Sequence, residues 1–197
     1  MIGARWIAAI AACGLAAACS PTDVVVATLG ARGDGGAQVR PCGNDSQCHD
    51  EEFCMRDACD QGTGRCETRP PACELTQDLV CGCDGVTYWN DCLRQQVGMT
   101  AKTDGNCGPG AATCGGTAGT CPVAGASCAR VYPSAERCPH DAANAPGVCV
   151  LLPPNCPPPG SERLAQCYGP APGACDDECT AIRSEKPHLR PTAGLCP

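Results

Sequence analysis

The sequence predicts a small disulfide-rich protein built from two cysteine-rich modules. Short antiparallel strands and one short helix are expected in the first module, with little regular secondary structure elsewhere. Three observations lead to the disulfide-rich class. Cysteine supplies 22 of 197 residues, about 11%, above the roughly 8–10% that marks a disulfide scaffold. Leucine, isoleucine, valine and phenylalanine total 26, and only six residues are aromatic, too few for a large apolar core. The 24 glycines and 19 prolines leave no room for long helical runs. Cross-links must supply what packing cannot, and that requires an oxidising compartment.

The N-terminus agrees with export. Met1–Arg5 is a short basic start, and Trp6–Ala18 is apolar. As a helix that stretch rises about 20 Å, short of the roughly 30 Å hydrocarbon core, so a signal peptide is favoured over a membrane span. The run "LAAAC", ending at Cys19, resembles the lipobox of bacterial lipoproteins, whose cysteine is acylated and becomes the new N-terminus. That motif usually carries Leu where Ala16 stands. "IAAC", ending at Cys13, fits it better but leaves a very short apolar segment. Cleavage before Cys19 leaves twenty further cysteines, an even set, whereas cleavage before Cys13 leaves Cys19 as an odd thiol. Residues 1–18 are therefore read as the signal peptide, and 19–41 as the lipidated N-terminus and a flexible, glycine-rich tether. Ser20 after the cysteine implies transit to the outer membrane or cell surface of a Gram-negative bacterium. Secretion without lipid is the alternative. The mature chain carries 13 basic against 21 acidic residues, a net charge of about −8, which argues against nucleic acid or anionic lipid as partners.

The remaining cysteines fall into two sets of ten, Cys42–Cys107 and Cys114–Cys196. Each set opens with four cysteines spaced four to ten residues apart. Each continues into a pair six residues apart, "CETRPPAC" and "CVLLPPNC", and ends on a lone cysteine that follows a cysteine-free stretch. The pattern predicts two modules, each a four-cysteine cap (42–65 and 114–148) followed by a six-cysteine unit (66–107 and 149–197), with 108–113 as linker.

Within the first module, "CETRPPACELTQDLVCGCDGVTYWNDC…GNC" resembles a Kazal domain, the small serine-protease-inhibitor fold. Seven residues separate Cys73 from Cys81 and ten separate Cys81 from Cys92, as in that family. Gly82-x-Asp84-Gly85-x-Thr87-Tyr88-x-Asn90 matches its signature. Read physically, Asp84-Gly85 is a turn entering a short strand, Tyr88 brings apolar area and a hydroxyl, and Asp91–Val97 is a short helix. The resemblance implies a reactive loop of Glu74, Leu75, Thr76 and Gln77, in which Leu75 enters the protease's specificity pocket and Thr76 lies just past the scissile bond. It also implies loop support from Asn90, which would hydrogen-bond loop carbonyls from behind. The family's helix cysteine is missing here and Cys83 is extra. The pairing implied is Cys66–Cys83, Cys73–Cys92 and Cys81–Cys107, with Cys81 and Cys83 on one face of a strand. In the second module, Cys149, Cys156, Cys167, Cys175, Cys179 and Cys196 can be laid on the six family positions without the signature between them. It is read as a degenerate Kazal-like module with no inhibitory site.

Competing chemistries find little in the residues. No Cys-x-x-Cys pair exists, and His49, His140 and His188 show no paired spacing, so neither a metal nor another cofactor is expected. The acidic run Asp50-Glu51-Glu52 lacks the spaced oxygen ligands of a calcium loop and reads as a solvated turn. Nucleophile, phosphate-loop and zinc-protease motifs are absent, so an enzyme is not expected. Two functions remain. One is inhibition of an extracellular or periplasmic chymotrypsin- or subtilisin-like protease. The other is a non-inhibitory surface interaction module, the use that Kazal-like domains serve in follistatin-type proteins.

Overall fold

A computed structural model of the chain describes residues 39–134, 137–138, 144–159, 163–167 and 175–190. The expected signal peptide, Cys19, nearly all of the tether, His140 and Cys196 lie outside them. The described residues form short strands, one 3-10 turn and two short helices, cross-linked throughout.

The first half opens with β1 (Pro41–Cys42), the turn Asp45–Gln47, β2 (Glu52–Met55) and β3 (Gly64–Thr68). These strands form an antiparallel sheet in the order β1-β3-β2, with Cys42 opposite Gly64 and Cys54 opposite Cys66. Phe53 is fully buried there, with the Arg69 guanidinium 5.5 Å from its ring centroid. Next come β4 (Val80–Gly82), β5 (Thr87–Tyr88), α1 (Asp91–Val97) and β6 (Ala101–Asp104), with β4 between β5 and β6.

The second half repeats this plan. In chain order it contains β7 (Thr113–Cys114), β8 (Ser127–Ala129), β9 (Val131–Tyr132), β10 (Gly147–Leu151), β11 (Arg163–Gln166), β12 (Cys175–Asp177), α2 (Glu178–Arg183) and β13 (His188–Leu189). β10 lies between β7 and β8 as β3 lies between β1 and β2, with Cys114 opposite Gly147 and Cys128 opposite Cys149. β11 lies between β12 and β13 as β4 lies between β5 and β6. The two glycines sit at equivalent close approaches. A Cβ on Gly64 would lie 2.2 Å from the Met55 carbonyl oxygen, and one on Gly147 would lie 2.6 Å from that of Ala129. Only a residue without a side chain fits at either position.

The bridges repeat the same duplication. Counting ten cysteines in each half, first joins third (Cys42–Cys54, Cys114–Cys128), second joins fifth (Cys48–Cys66, Cys121–Cys149) and sixth joins ninth (Cys73–Cys92, Cys156–Cys179). The halves differ at the seventh and eighth positions. The first half has Cys59–Cys83 and Cys81–Cys107, whereas the second has Cys138–Cys167. Cys175 is also disulfide-bonded.

Two implied pairings, Cys73–Cys92 and Cys81–Cys107, are present, but Cys66–Cys83 is corrected. Cys66 bonds Cys48 and Cys83 bonds Cys59. The strand expected to carry Cys81 and Cys83 on one face ends at Gly82, and its register shifts between Cys81 and Gly82. Cys83 therefore leaves the strand and reaches back to the segment before β3. Bridges consequently cross both boundaries between cap and six-cysteine unit, at 65/66 and at 148/149, so neither cap is covalently separate from its six-cysteine unit.

The two halves also share a sheet. β10 pairs with β5 in parallel, Val150 opposite Thr87 and Leu151 opposite Tyr88, giving a six-stranded sheet in the order β6-β4-β5-β10-β7 with β8 also on β10. The segment expected as a linker belongs to this seam. Ala112 N–H donates to the Gly85 carbonyl, Cys149 N–H donates to the Ala112 carbonyl, and Thr113 begins β7. One apolar cluster spans the seam, joining Val86, Tyr88, Trp89 and Leu93 to Val150, Leu151, Leu152 and Ile182. The reason is supply: neither half holds enough large apolar side chains for a core of its own.

Leu151→Ala is expected to cost about 2–3 kcal/mol through the cavity it leaves. Calorimetry should show both halves still melting in one transition at lower temperature. Two separate transitions would contradict the shared core.

Candidate functional site: the loop from Cys73 to Cys81

The loop has no regular secondary structure before Val80, yet it is held at both ends and from beneath. Cys73 is bridged to Cys92 on α1, and Cys81 to Cys107 beyond β6. Glu74, Thr76, Gln77 and Asp78 are exposed, while Leu75 and Leu79 are half-buried.

Asn90 lies under this loop and serves two structures at once. Its backbone is extended, and its Oδ1 accepts from Leu93 N–H at 3.0 Å, capping α1 in the manner that makes asparagine a favoured first residue before a helix. Its Nδ2 donates to the Glu74 carbonyl at 2.8 Å and the Thr76 carbonyl at 3.0 Å. The acceptor and both amide hydrogens are thus used, and the side chain is buried.

Trp89 completes the cradle. Adjacent residues of an extended chain project to opposite sides. Asn90 takes the two flanking carbonyls, and the Trp89 indole Nε1–H donates to the Leu75 carbonyl between them at 2.8 Å. The Trp89 backbone connects the loop to the seam, since its carbonyl accepts from Asp78 N–H at 2.9 Å and its N–H donates to the Leu151 carbonyl at 3.0 Å. Only 2% of Trp89 is exposed.

Tyr88 supports the loop indirectly. It is fully buried, and its hydroxyl donates to Asp84 Oδ2 at 2.7 Å, while Asp84 Oδ1 accepts from Val86 N–H at 3.1 Å and closes the turn. Burial first, then the bond to Asp84, pushes the phenol far above the ordinary tyrosine range, so it stays a neutral donor. β5, which carries it, pairs with the strand into which the loop runs.

The second half also reaches the loop. Gln77 Nε2 donates to Glu178 Oε2 at 2.8 Å, and Arg190 donates to the other carboxylate oxygen at 3.0 Å. The Glu178 side chain is 13% exposed. The resemblance implies that Glu74 to Gln77 and Asn90 meet. It misses Trp89, which sits inside the quoted motif, and Glu178, which lies 101 residues from Gln77 and carries no local signal.

The equivalent position in the second half cannot do the same work. Asp177 caps α2, accepting from Thr180 N–H at 3.0 Å, as Asn90 caps α1. A carboxylate has no N–H to give a loop carbonyl. Residues 160–162 of the corresponding Cys156–Cys167 segment lie outside the described set.

Other candidates resolve into structure. Two groups of sulfurs, Cys42/Cys48/Cys66 and Cys114/Cys121/Cys149, each lie within 4.8 Å, but all six are in disulfides and offer no thiolate. They are neighbouring bridges at equivalent places in the two halves. His188 is fully buried between the Lys186 carbonyl and Asp176, and His49 is exposed. Glu52 of the acidic run belongs to β2 and pairs with Arg40.

Every cysteine among the described residues is in a disulfide, which places the folded chain in an oxidising extracellular environment. Among the described residues no helix is long and apolar enough to cross a membrane. Comparison with known proteins yields no matching family model and no matching curated protein.

Asn90→Ala is expected to cost about 2–3 kcal/mol, from a lost cap and two lost hydrogen bonds. Asn90→Asp keeps the cap but turns a carboxylate oxygen toward the two loop carbonyls. Amide exchange across Glu74–Asp78 should rise at least as much as in the alanine variant. Unchanged exchange in Asn90→Asp would remove Asn90 as the loop's support.

Proposed function

We propose that the chain is a surface-anchored serine protease inhibitor of Kazal-like type, presenting Leu75 on the loop from Cys73 to Cys81. One observation carries this reading: a single buried amide, Asn90 Nδ2, holds the carbonyls on either side of Leu75. A substrate-like inhibitor needs a loop whose ordering cost is met before binding, and whose cut ends stay in place to rejoin. Two bridges and one shared donor meet both needs. An apolar branched Leu75 suits a chymotrypsin- or subtilisin-like pocket and has no cation for the buried acid of a trypsin-like one. Attachment through an acylated Cys19 would keep the inhibitor at the outer membrane, since lipid gains about 0.8 kcal/mol per buried methylene and two or three chains give stable retention.

A second reading, a non-inhibitory extracellular interaction module, is favoured by a different observation. The Leu75 carbonyl is bonded to Trp89, and the Leu75 side chain is half-buried, neither of which suits immediate presentation to a protease.

The purified protein is expected to inhibit subtilisin or chymotrypsin at micromolar concentration or below. Leu75→Asp should abolish this inhibition without unfolding the chain. A folded protein, its bridges verified, that inhibits neither protease favours the interaction-module reading.

For the anchor, wild type is expected to enter the detergent phase on partitioning and Cys19→Ser to remain aqueous. Wild type in the aqueous phase would show that no acyl anchor is present.

A further inference from the structure

We propose that Trp89 and Glu178 are positioning residues that latch the loop shut, so that the second half of the chain governs how fast a protease engages Leu75. This rests on the inhibitor reading and concerns the regulation of the same loop.

A serine protease binds a substrate-like loop with the carbonyl oxygen of the scissile bond placed between preorganised donors, about 2.7–3.1 Å from each. In the unbound chain the Leu75 oxygen instead faces a buried indole, accepting from Trp89 Nε1–H at 2.8 Å. Trp89 is 2% exposed, so an oxygen directed at it is turned into the protein. The two flanking carbonyls present no such conflict, because their donor, Asn90, supports the loop in any bound state. Engagement therefore requires the Leu75–Thr76 peptide to rotate away from the indole while Asn90 keeps its two bonds.

The second half resists that rotation from two directions. Trp89 is held by the Leu151 carbonyl of β10 through its own N–H. One residue beyond Thr76, Gln77 is tied to Glu178, whose carboxylate is fixed in turn by Arg190. Both contacts come from the second half: one holds Trp89, the donor to the Leu75 carbonyl, and the other holds Gln77, one residue past Thr76. Glu178 accepts with a charged oxygen in a mostly buried side chain, the stronger kind of hydrogen bond. The closed loop is thus stabilised by interactions that the complex with a protease must give up at Trp89 and disturb at Gln77. Such a latch slows association and leaves dissociation largely unchanged.

The test uses the full chain and subtilisin. Wild-type progress curves should show slow onset of inhibition. Trp89→Phe keeps a ring and removes the donor, and should raise the association rate about tenfold, the factor one hydrogen bond of ordinary strength represents, with dissociation changed less than about twofold. Glu178→Ala, at the first position of α2, should raise the same rate by a smaller factor. A purely structural role predicts the reverse, weaker binding through faster dissociation, and that result overturns the latch. Equal association rates in all three proteins overturn it as well. A readout without protease separates this from the inhibitor reading: in the unbound wild type the Trp89 indole N–H should exchange slowly. Loop amides from Glu74 to Gln77 should exchange about tenfold faster in Trp89→Phe, and faster to a lesser degree in Glu178→Ala. If no variant inhibits while exchange responds as stated, Trp89 and Glu178 hold the loop closed, but the inhibitor reading fails and control of protease engagement fails with it. If exchange does not respond, the latch fails whatever the protease assay shows.

Discussion

The seam between β5 and β10 is where this chain obtains a core. Each half has bridges enough to hold its turns together, but bridges do not exclude water from the sheet between them. Val86, Tyr88, Trp89 and Leu93 come from one half, and Val150, Leu151, Leu152 and Ile182 from the other, in one buried cluster. The candidate loop hangs from this seam. Trp89, which touches Leu75, also contributes to the shared cluster and donates its backbone N–H to β10.

Duplication and divergence are visible in the same bonds. Both halves bridge first to third, second to fifth and sixth to ninth cysteines, and both place a glycine where β1 or β7 crosses its partner strand. Besides the bridges of their seventh and eighth cysteines, they differ at a capping residue. Asparagine before α1 has an acceptor for the helix and two hydrogens for the loop, whereas aspartate before α2 has acceptors alone. A single change from amide to carboxylate keeps the helix and withdraws the loop's donor, which is why a site is assigned to only one half. The second half has instead become a neighbour of that site through Glu178.

Covalent constraint and side-chain constraint divide the loop between them. The bridges at Cys73 and Cys81 set where it starts and ends. Asn90, Trp89 and the Trp89 carbonyl set the direction of the groups in between. In a chain with so few apolar side chains, hydrogen bonds from buried donors give this loop its shape, and burial of those donors is what makes each bond costly to leave unmade.

Much of the first half was legible in the residues themselves. Asp84-Gly85 as a turn, a strand at Thr87-Tyr88 and a helix over Asp91–Val97 come from local rules of turn chemistry and capping, which act over four or five residues and survive in any tertiary setting. Cysteine number and spacing likewise determined the compartment and the ten-and-ten organisation. What tertiary structure alone decided was which groups meet. Cys66 sits opposite Cys54 in register yet bonds Cys48, and Cys83 turns away to Cys59 because β4 ends at Gly82; spacing cannot distinguish such pairings, since every cysteine is chemically alike. The shared sheet, the indole under Leu75 and the Glu178 carboxylate beside Gln77 depend on contacts between segments distant along the chain. Their cause is the joint burial of two apolar sets that neither half could bury alone.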